Sequence, residues 1–158
     1  MQQQKERIKL SKEQALLKAE HFCAYQERSQ QEVRDKLYEL GLFSSEVEET
    51  IAQLIQTNFL NEERFATSYS LGKFRIKKWG KLKIKQALKF KRVPDKLINK
   101  ALNKIDPDEY YQTLTNLYNK KTAVLMEKDQ FKRKYKLTQY LASKGYEKDL
   151  INDLLNNN

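Results

Sequence analysis

Apolar residues recur at helical spacing along most of the chain, and the pattern repeats about every fifty residues. When the repeats are aligned on Gly41, Arg92 and Gly145, each has a leucine four residues before that position and another apolar residue four positions earlier still. These pairs are Val33 with Leu37, Ile84 with Leu88, and Leu137 with Leu141. Four-residue spacing puts both members on one helix face. The pattern predicts an all-α fold of tandem three-helix repeats, about nine helices in an elongated, curved array.

Capping signals divide this pattern into individual helices. Ser29-Gln30-Gln31-Glu32 and Ser45-Glu46-Val47-Glu48 have the sequence of a capping box, and Asp106-Pro107-Asp108-Glu109 also begins a helix. Gly41 and Gly145 suit the left-handed position after a helix end. The predicted helices cover 12–27, 30–40, 45–57, 62–76, 80–91, 94–104, 107–127, 130–144 and 147–156. The predicted divisions are an N-terminal tail at 1–11 and three-helix repeats at 12–60, 61–105 and 106–158.

Positive charge is concentrated in the middle of the chain. The protein has 31 Lys and Arg against 21 Asp and Glu, for a net charge of +10. The stretch from Arg64 to Pro94, here called the basic window, holds 11 basic residues and no acidic one, so the remainder is close to neutral. A solvated helix usually mixes signs, because like charges one turn apart weaken it. The window therefore indicates a surface for a polyanion or an acidic protein, with a solvated face as the alternative.

The candidate partner-binding or nucleic-acid-binding residues come from this window and from a second basic segment. In the window they are Lys73, Arg75, Lys77, Lys78, Lys81, Lys85, Lys89 and Arg92. In the second segment, Phe131–Lys136, they are Lys132 and Lys136, which share a helix face. Phe74 and Trp79 lie among the cations of the window. Aromatic side chains in such a setting stack on bases or pack between helical modules, and the sequence leaves both open.

Catalytic chemistry is not indicated. His21 and Cys23 are two residues apart, so on a helix they do not face each other as a base and a nucleophile would. The spacing of metal ligands and a phosphate-binding glycine loop are both missing from the sequence. We therefore expect no enzyme activity, no cofactor and no metal.

Composition also bears on location. The single cysteine fits a reducing compartment. The sequence has no secretory signal pattern and no apolar run long enough for a membrane span. We expect a cytoplasmic protein without a membrane partner.

Three segments in order resemble the RecX family, the regulators of the RecA recombinase. They are Gln26–Val33 with the following Leu40-Gly41, then Phe59–Ala66, and finally Tyr140–Tyr146. The resemblance implies binding in the groove of the RecA–DNA filament, inhibition of its ATPase and strand exchange, and hence regulation of DNA repair, recombination and the SOS response. It also implies a protein that is not an enzyme. The chain departs from the family where Arg92 replaces a usual glycine and where Lys78-Trp79-Gly80 replaces a more glycine-rich turn.

The sequence therefore supports two alternative functions. The first is a regulator of the RecA filament, with single- or double-stranded DNA as a further partner of the basic middle repeat. The second is a free-standing, sequence-independent DNA-binding helical protein, with predicted helix 80–91 in contact with DNA. In that helix Gln86 is the one amide that suits base recognition, whereas lysines favour the phosphate backbone.

Overall fold

The computed structural model describes residues 9–157, and over that range the chain forms nine α-helices and no strand. The helices are α1 (Lys12–Tyr25), α2 (Gln30–Glu39), α3 (Ser44–Gln56), α4 (Glu62–Lys77), α5 (Lys81–Phe90), α6 (Asp95–Leu102), α7 (Pro107–Val124), α8 (Gln130–Ser143) and α9 (Lys148–Asn156). The all-α prediction is confirmed, and the helix bounds agree to within three residues. Residues 1–8 of the predicted tail lie outside the described residues. The predicted curved arrangement and repeat boundaries stay predictions.

Two of the predicted helix starts are capped as expected. The Ser29 side chain accepts a hydrogen bond from the Glu32 N–H at 3.1 Å. The Asp106 carboxylate accepts one from the Glu109 N–H at 2.9 Å, and Pro107 occupies the first helical position. Both contacts satisfy an N–H group that has no partner inside the helix.

The predicted cap at Ser45 is wrong. Helix α3 begins one residue earlier, and Phe43 holds the cap position without a side-chain cap. The Glu46 carboxylate instead accepts a hydrogen bond from the Phe43 N–H at 3.2 Å. Ser45 therefore lies in the first helical turn, because an acidic side chain at the third helical position stabilises this start from within the helix.

The first of two compact units comprises the chain up to Ala66 together with Lys91–Val93. Helices α1, α2 and α3 pack against one another around a buried apolar core. Its members are Ala15, Ala19, Cys23, Val33, Leu37, Leu42, Val47, Ile51, Leu54 and Leu60. The leucine pattern of the first repeat thus forms the core that its spacing predicts.

The second unit comprises Thr67–Phe90 and the chain from Pro94 onward. Within it α5 packs on α6, and α8 packs on both α7 and α9. Its largest fully buried side chains are Tyr146, Phe74, Ile84, Leu88, Ile98, Ile105, Leu114, Leu141 and Ile151. The apolar pairs of the second and third repeats are therefore buried here. Among residues 9–157 no helix has the length and apolar character needed to cross a membrane.

Backbone-to-backbone contact joins the start of α5 to the turn between α8 and α9. A Cβ on Gly80 would lie 2.3 Å from the carbonyl carbon of Gly145. Gly145 has a φ of +100°, and a Cβ there would lie 2.4 Å from the Cβ of Lys83. The Gly80 N–H donates to the Lys144 carbonyl at 2.7 Å. Only glycine therefore fits at these two positions without movement of the backbone.

We expect Gly80→Ala to lower the free energy of unfolding by about 3 kcal/mol, because the new methyl group must displace backbone atoms rather than a flexible side chain. Gly72→Ala is the matched control. An added Cβ at Gly72 meets nothing within 4 Å, so this variant should gain up to about 1 kcal/mol from helix propensity. Urea unfolding followed by circular dichroism measures both. Equal stability of the two variants would show that the Gly80–Gly145 contact is not tight.

Candidate nucleic-acid interface

The basic window covers most of α4, the turn at 78–80, α5 and the residues that follow it. Four of its eleven cations pair with an acidic side chain, and Arg92 hydrogen-bonds to a neutral amide. Arg75 lies 3.5 Å from Glu109, and Lys89 lies 3.7 Å from Asp95. In the first unit, Arg64 pairs with Glu27, Lys91 lies 3.3 Å from Glu32, and Arg92 donates to the Gln31 side-chain oxygen at 3.5 Å. Much of the flanking charge is therefore compensated.

The other six cations of the window have no salt bridge to any acidic side chain of the described residues. They are Lys73, Lys77, Lys78, Lys81, Lys83 and Lys85, here called the uncompensated lysines. All six belong to the second unit, at the end of α4, in the turn and in the first half of α5. Their charge is therefore available to an anionic partner. Of the predicted contact residues in the window, Arg75 and Lys89 pair with acidic side chains and Arg92 bonds to Gln31, so these three fall outside the set. Lys83, which the prediction omitted, falls inside it.

Trp79 lies between two of these lysines. The ammonium groups of Lys73 and Lys83 lie 5.0 Å and 4.7 Å from its ring centroid, within the range of a cation–π interaction. The indole is half-buried. Phe74 is buried and its ring lies 5.7 Å from that of Tyr110, so it packs in the core and cannot stack on a base. The two aromatic side chains therefore have different roles. Phe74 packs in the core, and Trp79 contacts two lysines through cation–π interactions.

The turn that carries Lys78 is held from beneath by Tyr146. Lys78 adopts a left-handed conformation with a φ of 60°, which a non-glycine side chain seldom adopts. The hydroxyl of buried Tyr146 donates to the Lys78 carbonyl at 2.9 Å. The rings of Tyr146 and Tyr110 lie 5.1 Å apart, so the support belongs to a packed aromatic cluster. The structure thus fixes a strained turn at the centre of the uncompensated lysines.

The first N–H groups of α5 are satisfied by the chain around α7, α8 and α9 rather than by a capping side chain. The Lys81 N–H donates to the Tyr110 hydroxyl at 3.0 Å, and the Leu82 N–H donates to the Gly145 carbonyl at 2.9 Å. The Tyr110 hydroxyl in turn donates to the Glu147 carboxylate. The Lys81 and Leu82 N–H groups are therefore not free to bind an anion.

The charge of α5 runs against the preference of its helix. A helix N-terminus carries partial positive charge and favours acidic residues. Helix α5 begins with Lys81, follows with Lys83 and Lys85, and has no acidic residue in its first turn. These lysines therefore cost helix stability, and a binding role explains them better than the needs of the fold.

The second basic segment lies on α8 and is more varied in its contacts. Lys132 is exposed, with no salt bridge among residues 9–157. Lys136 lies 2.9 Å from Glu127, and its hydrogen bond lowers the pKa of that carboxyl. Arg133 is half-buried and donates to the carbonyls of Thr122, Leu125 and Glu127, at 2.7, 3.0 and 3.1 Å. Arg133 therefore ties down the end of α7, which ends at Val124 rather than at the predicted residue 127.

Catalytic geometry is not found around the one cysteine. Cys23 is buried in the first core, and burial raises its pKa to about 11, so it stays a thiol at neutral pH. His21 is exposed on the same helix. Within the described residues no group of three or more His, Cys, Asp and Glu side chains could hold a metal ion.

Comparison with known proteins gives a consistent result over three successive stretches. Residues 15–54, 61–102 and 108–155 match family models described as the first, second and third three-helix domains of RecX. A regulatory protein RecX from Clostridium perfringens is 35% identical over 130 residues, covering 81% of this chain and 60% of the relative. One from Bacillus mycoides is 26% identical over 137 residues, covering 87% of this chain and 51% of the relative. The chain thus spans about half to three-fifths of these curated relatives.

Solved structures agree on the fold. The crystal structure of RecX from Lactobacillus salivarius matches with a TM-score of 0.85 and 24% identity, covering 92% of this chain and 95% of that one. A crystal structure described as regulatory protein RecX matches with a TM-score of 0.83 and 20% identity, covering 93% and 72%. At such identities the likeness concerns the fold alone.

We predict that stability falls at alkaline pH because of the two tyrosines under the turn. Burial raises the pKa of Tyr110 and Tyr146 above the ordinary value of 10.0, and the Glu147 carboxylate raises that of Tyr110 further. The unfolded chain loses these protons first as pH rises past about 10, so each tyrosine should remove about 1.4 kcal/mol per pH unit above that point.

Urea unfolding from pH 8 to pH 11 measures this loss. Tyr110→Phe should remove about half of the tyrosine-dependent slope, since one of the two groups no longer titrates. Tyr111→Phe is the matched control, because Tyr111 is 39% exposed and should leave the slope unchanged. A Tyr110→Phe variant with the full wild-type slope would contradict the assignment.

Proposed function

Because the chain belongs to the RecX family, we propose that it is a regulatory protein that binds the RecA–DNA filament and inhibits the ATPase and strand-exchange activities of the recombinase. Its relatives of known name are regulatory proteins. In this proposal the protein acts in the cytoplasm, in DNA repair and the SOS response, by binding and without catalysis. The three-helix repeats at 12–60, 61–105 and 106–158 contact successive recombinase protomers.

The observation that carries the proposal is the set of uncompensated lysines. Six ammonium groups without acidic partners among the described residues lie within one stretch of the second unit, from Lys73 to Lys85. A filament of recombinase on DNA presents phosphates along its groove, and lysines bind phosphates as point charges without regard to sequence. The fixed turn and the ordered Trp79 support such a role, since a surface held in place loses less entropy on binding.

The pattern of side chains also supports backbone contact over base recognition. Bidentate recognition of bases uses Arg, Asn or Gln, and the first half of α5 carries lysines. Gln86 is exposed on α5 and is the one amide on that helix. A regulator that must act anywhere along a filament needs binding of this kind, which is independent of sequence.

The alternative is a free-standing DNA-binding protein, favoured by the same lysines. The two functions differ in whether the protein must also contact the recombinase. A filament regulator needs contacts with the recombinase as well as with phosphates, whereas a DNA-binding protein needs phosphates alone. Competition between the recombinase and this protein for single-stranded DNA is therefore the outcome that distinguishes them.

We expect the protein to inhibit the single-strand-dependent ATPase of its cognate recombinase at less than one molecule per protomer. Each bound molecule blocks a filament rather than a single subunit, so the effect should exceed its stoichiometry. A coupled ATPase assay with the protein titrated onto preformed filaments measures this. Inhibition that needs enough protein to cover the DNA, and that excess DNA relieves in proportion, would favour the DNA-binding alternative.

Lysine-to-glutamine changes test the surface itself. The triple variant Lys81→Gln, Lys83→Gln and Lys85→Gln should fold as well as the wild type, because it removes cations from a helix N-terminus. Its filament affinity should fall by about tenfold or more, and the slope of log K against log salt should flatten by roughly 2. Fluorescence anisotropy across a salt series measures both.

The matched control removes the same charge elsewhere. Lys18, Lys96 and Lys148 are exposed positions on α1, α6 and α9. Changing these three to Gln should leave affinity within about twofold, since only long-range attraction is reduced. If the two triple variants lose affinity equally, net charge alone acts and the surface assignment is wrong.

A further inference from the structure

A groove runs along the outer face of α4 in the second unit. Two adjacent rows of side chains border it, each row with members one turn apart. One row is Ser68, Gly72 and Ile76, and the other is Tyr69, Lys73 and Lys77. The cavity between them has a volume of about 220 Å³. The row that contains Gly72 lies on the opposite side of the helix from buried Ser70 and Phe74, and the other row flanks the buried side.

Gly72 leaves a notch in the first of these rows that the fold does not require. A glycine inside a helix costs about 0.5–1 kcal/mol relative to alanine. Gly80 and Gly145 are explained by atoms that a Cβ would strike, but a Cβ on Gly72 meets nothing within 4 Å. Gly72 also has no positive φ. Packing among the described residues therefore does not require glycine here, and the missing side chain leaves room for a close approach by another molecule.

The groove combines apolar surface with positive charge. Ile76 is 78% exposed, an unfavourable position for an isoleucine on a helix that has a buried face elsewhere. Lys73 and Lys77, on the opposite row, belong to the uncompensated lysines. A partner that covers this face therefore needs an apolar side chain for the notch and acidic side chains opposite the lysines.

The shape of the groove suits an α-helix. Helices pack when the ridge of one enters the groove between two four-residue rows of the other, and this groove lies between two such rows. A glycine in the bordering row lets the two axes come closer than a larger residue would. We propose that the Gly72 groove docks an acidic, amphipathic α-helix of the recombinase, an inference that rests on the proposed filament-binding function.

Other occupants fit less well. A second copy of this chain, bound through the same face, would bring together two grooves that both carry Lys73 and Lys77, and these like charges would repel. Nucleic acid would bind the lysines through its phosphates, but phosphate contact does not account for an exposed isoleucine beside a glycine notch. The complementary charge and apolar character of a protein helix satisfy both sides of the groove.

The test fills the notch. Gly72→Leu should fold normally and raise the Tm by about 2–4 °C, because leucine has the higher helix propensity and its Cβ meets no atom within 4 Å. Its affinity for a preformed recombinase filament on single-stranded DNA should fall by about tenfold, since the leucine occupies the space of the docked helix. Its affinity for the same DNA without recombinase should stay within about twofold of the wild type.

Ala52→Leu is the matched control. Ala52 is exposed on α3 and does not line the groove, so this variant adds the same side chain to another helix surface. It should bind the filament like the wild type. A photocrosslinking amino acid at Ile76 then identifies the contact, and a recombinase peptide rich in Asp and Glu is the expected product.

The outcomes separate the groove from the proposed function. If the wild type does not bind the filament, the proposed function and the groove's partner are both wrong. If the wild type binds and Gly72→Leu binds equally, the groove inference alone is overturned. Loss of DNA affinity by Gly72→Leu, or crosslinks to DNA only, would make the face a nucleic-acid contact. A dimeric wild type that becomes monomeric in Gly72→Leu would make it a self-association surface. Either result also overturns the inference.

Discussion

The contact between the backbones of Gly80 and Gly145 is the constraint on which the basic surface depends. It brings the start of α5 so close to the α8–α9 turn that no side chain fits between them. That closeness lets the carbonyls of Lys144 and Gly145 accept hydrogen bonds from the N–H groups of Gly80, just before α5, and of Leu82, in its first turn. Residues distant in sequence thereby stabilise the start of α5, which therefore needs no capping side chain of its own.

This arrangement explains how α5 tolerates lysines at its positive end. In an isolated helix, acidic residues would occupy the first turn and the cations would lie at the other end. Here the N–H groups of Lys81 and Leu82 donate to Tyr110 and Gly145, which lie outside α5. These hydrogen bonds offset the electrostatic cost of placing Lys81 and Lys83 in the first turn. Trp79 reduces that cost further, because its ring offers a negative face to two ammonium groups. Stability from the aromatic cluster beneath the turn thus supports a surface that is locally unfavourable. Such conflicts between local preference and global fold are typical of functional sites.

Periodicity was sufficient to predict the helices, because four-residue spacing, Gly41 and Gly145 are local signals. The contacts that shape the candidate site are not local. Arg75 pairs with Glu109, and Tyr146 holds the carbonyl of Lys78, across separations that a single sequence does not reveal. For the same reason the sequence could count the cations of the basic window but could not divide the compensated from the uncompensated. The start of α3 shows that local signals can also mislead. Ser45 begins the sequence of a capping box, but the contact that forms is a hydrogen bond from the Phe43 N–H to the Glu46 carboxylate.

Charge and shape have different consequences for a partner. The uncompensated lysines produce a field that reaches about 8–10 Å at ordinary salt, so they accelerate encounter with any polyanion and cannot alone distinguish a filament from bare DNA. The groove at Gly72 acts only on contact, where one misplaced methylene group is felt, so it can distinguish a protein helix from a phosphate backbone. Both features lie in the second unit, and Lys73 and Lys77 belong to both. A partner that presents phosphates and an acidic helix together would contact the lysines and the groove at the same time. Binding of phosphates by the lysines does not account for Gly72, and packing of a helix at Gly72 does not account for all of the lysines. Under the proposed function, selective binding to a nucleoprotein filament would use both.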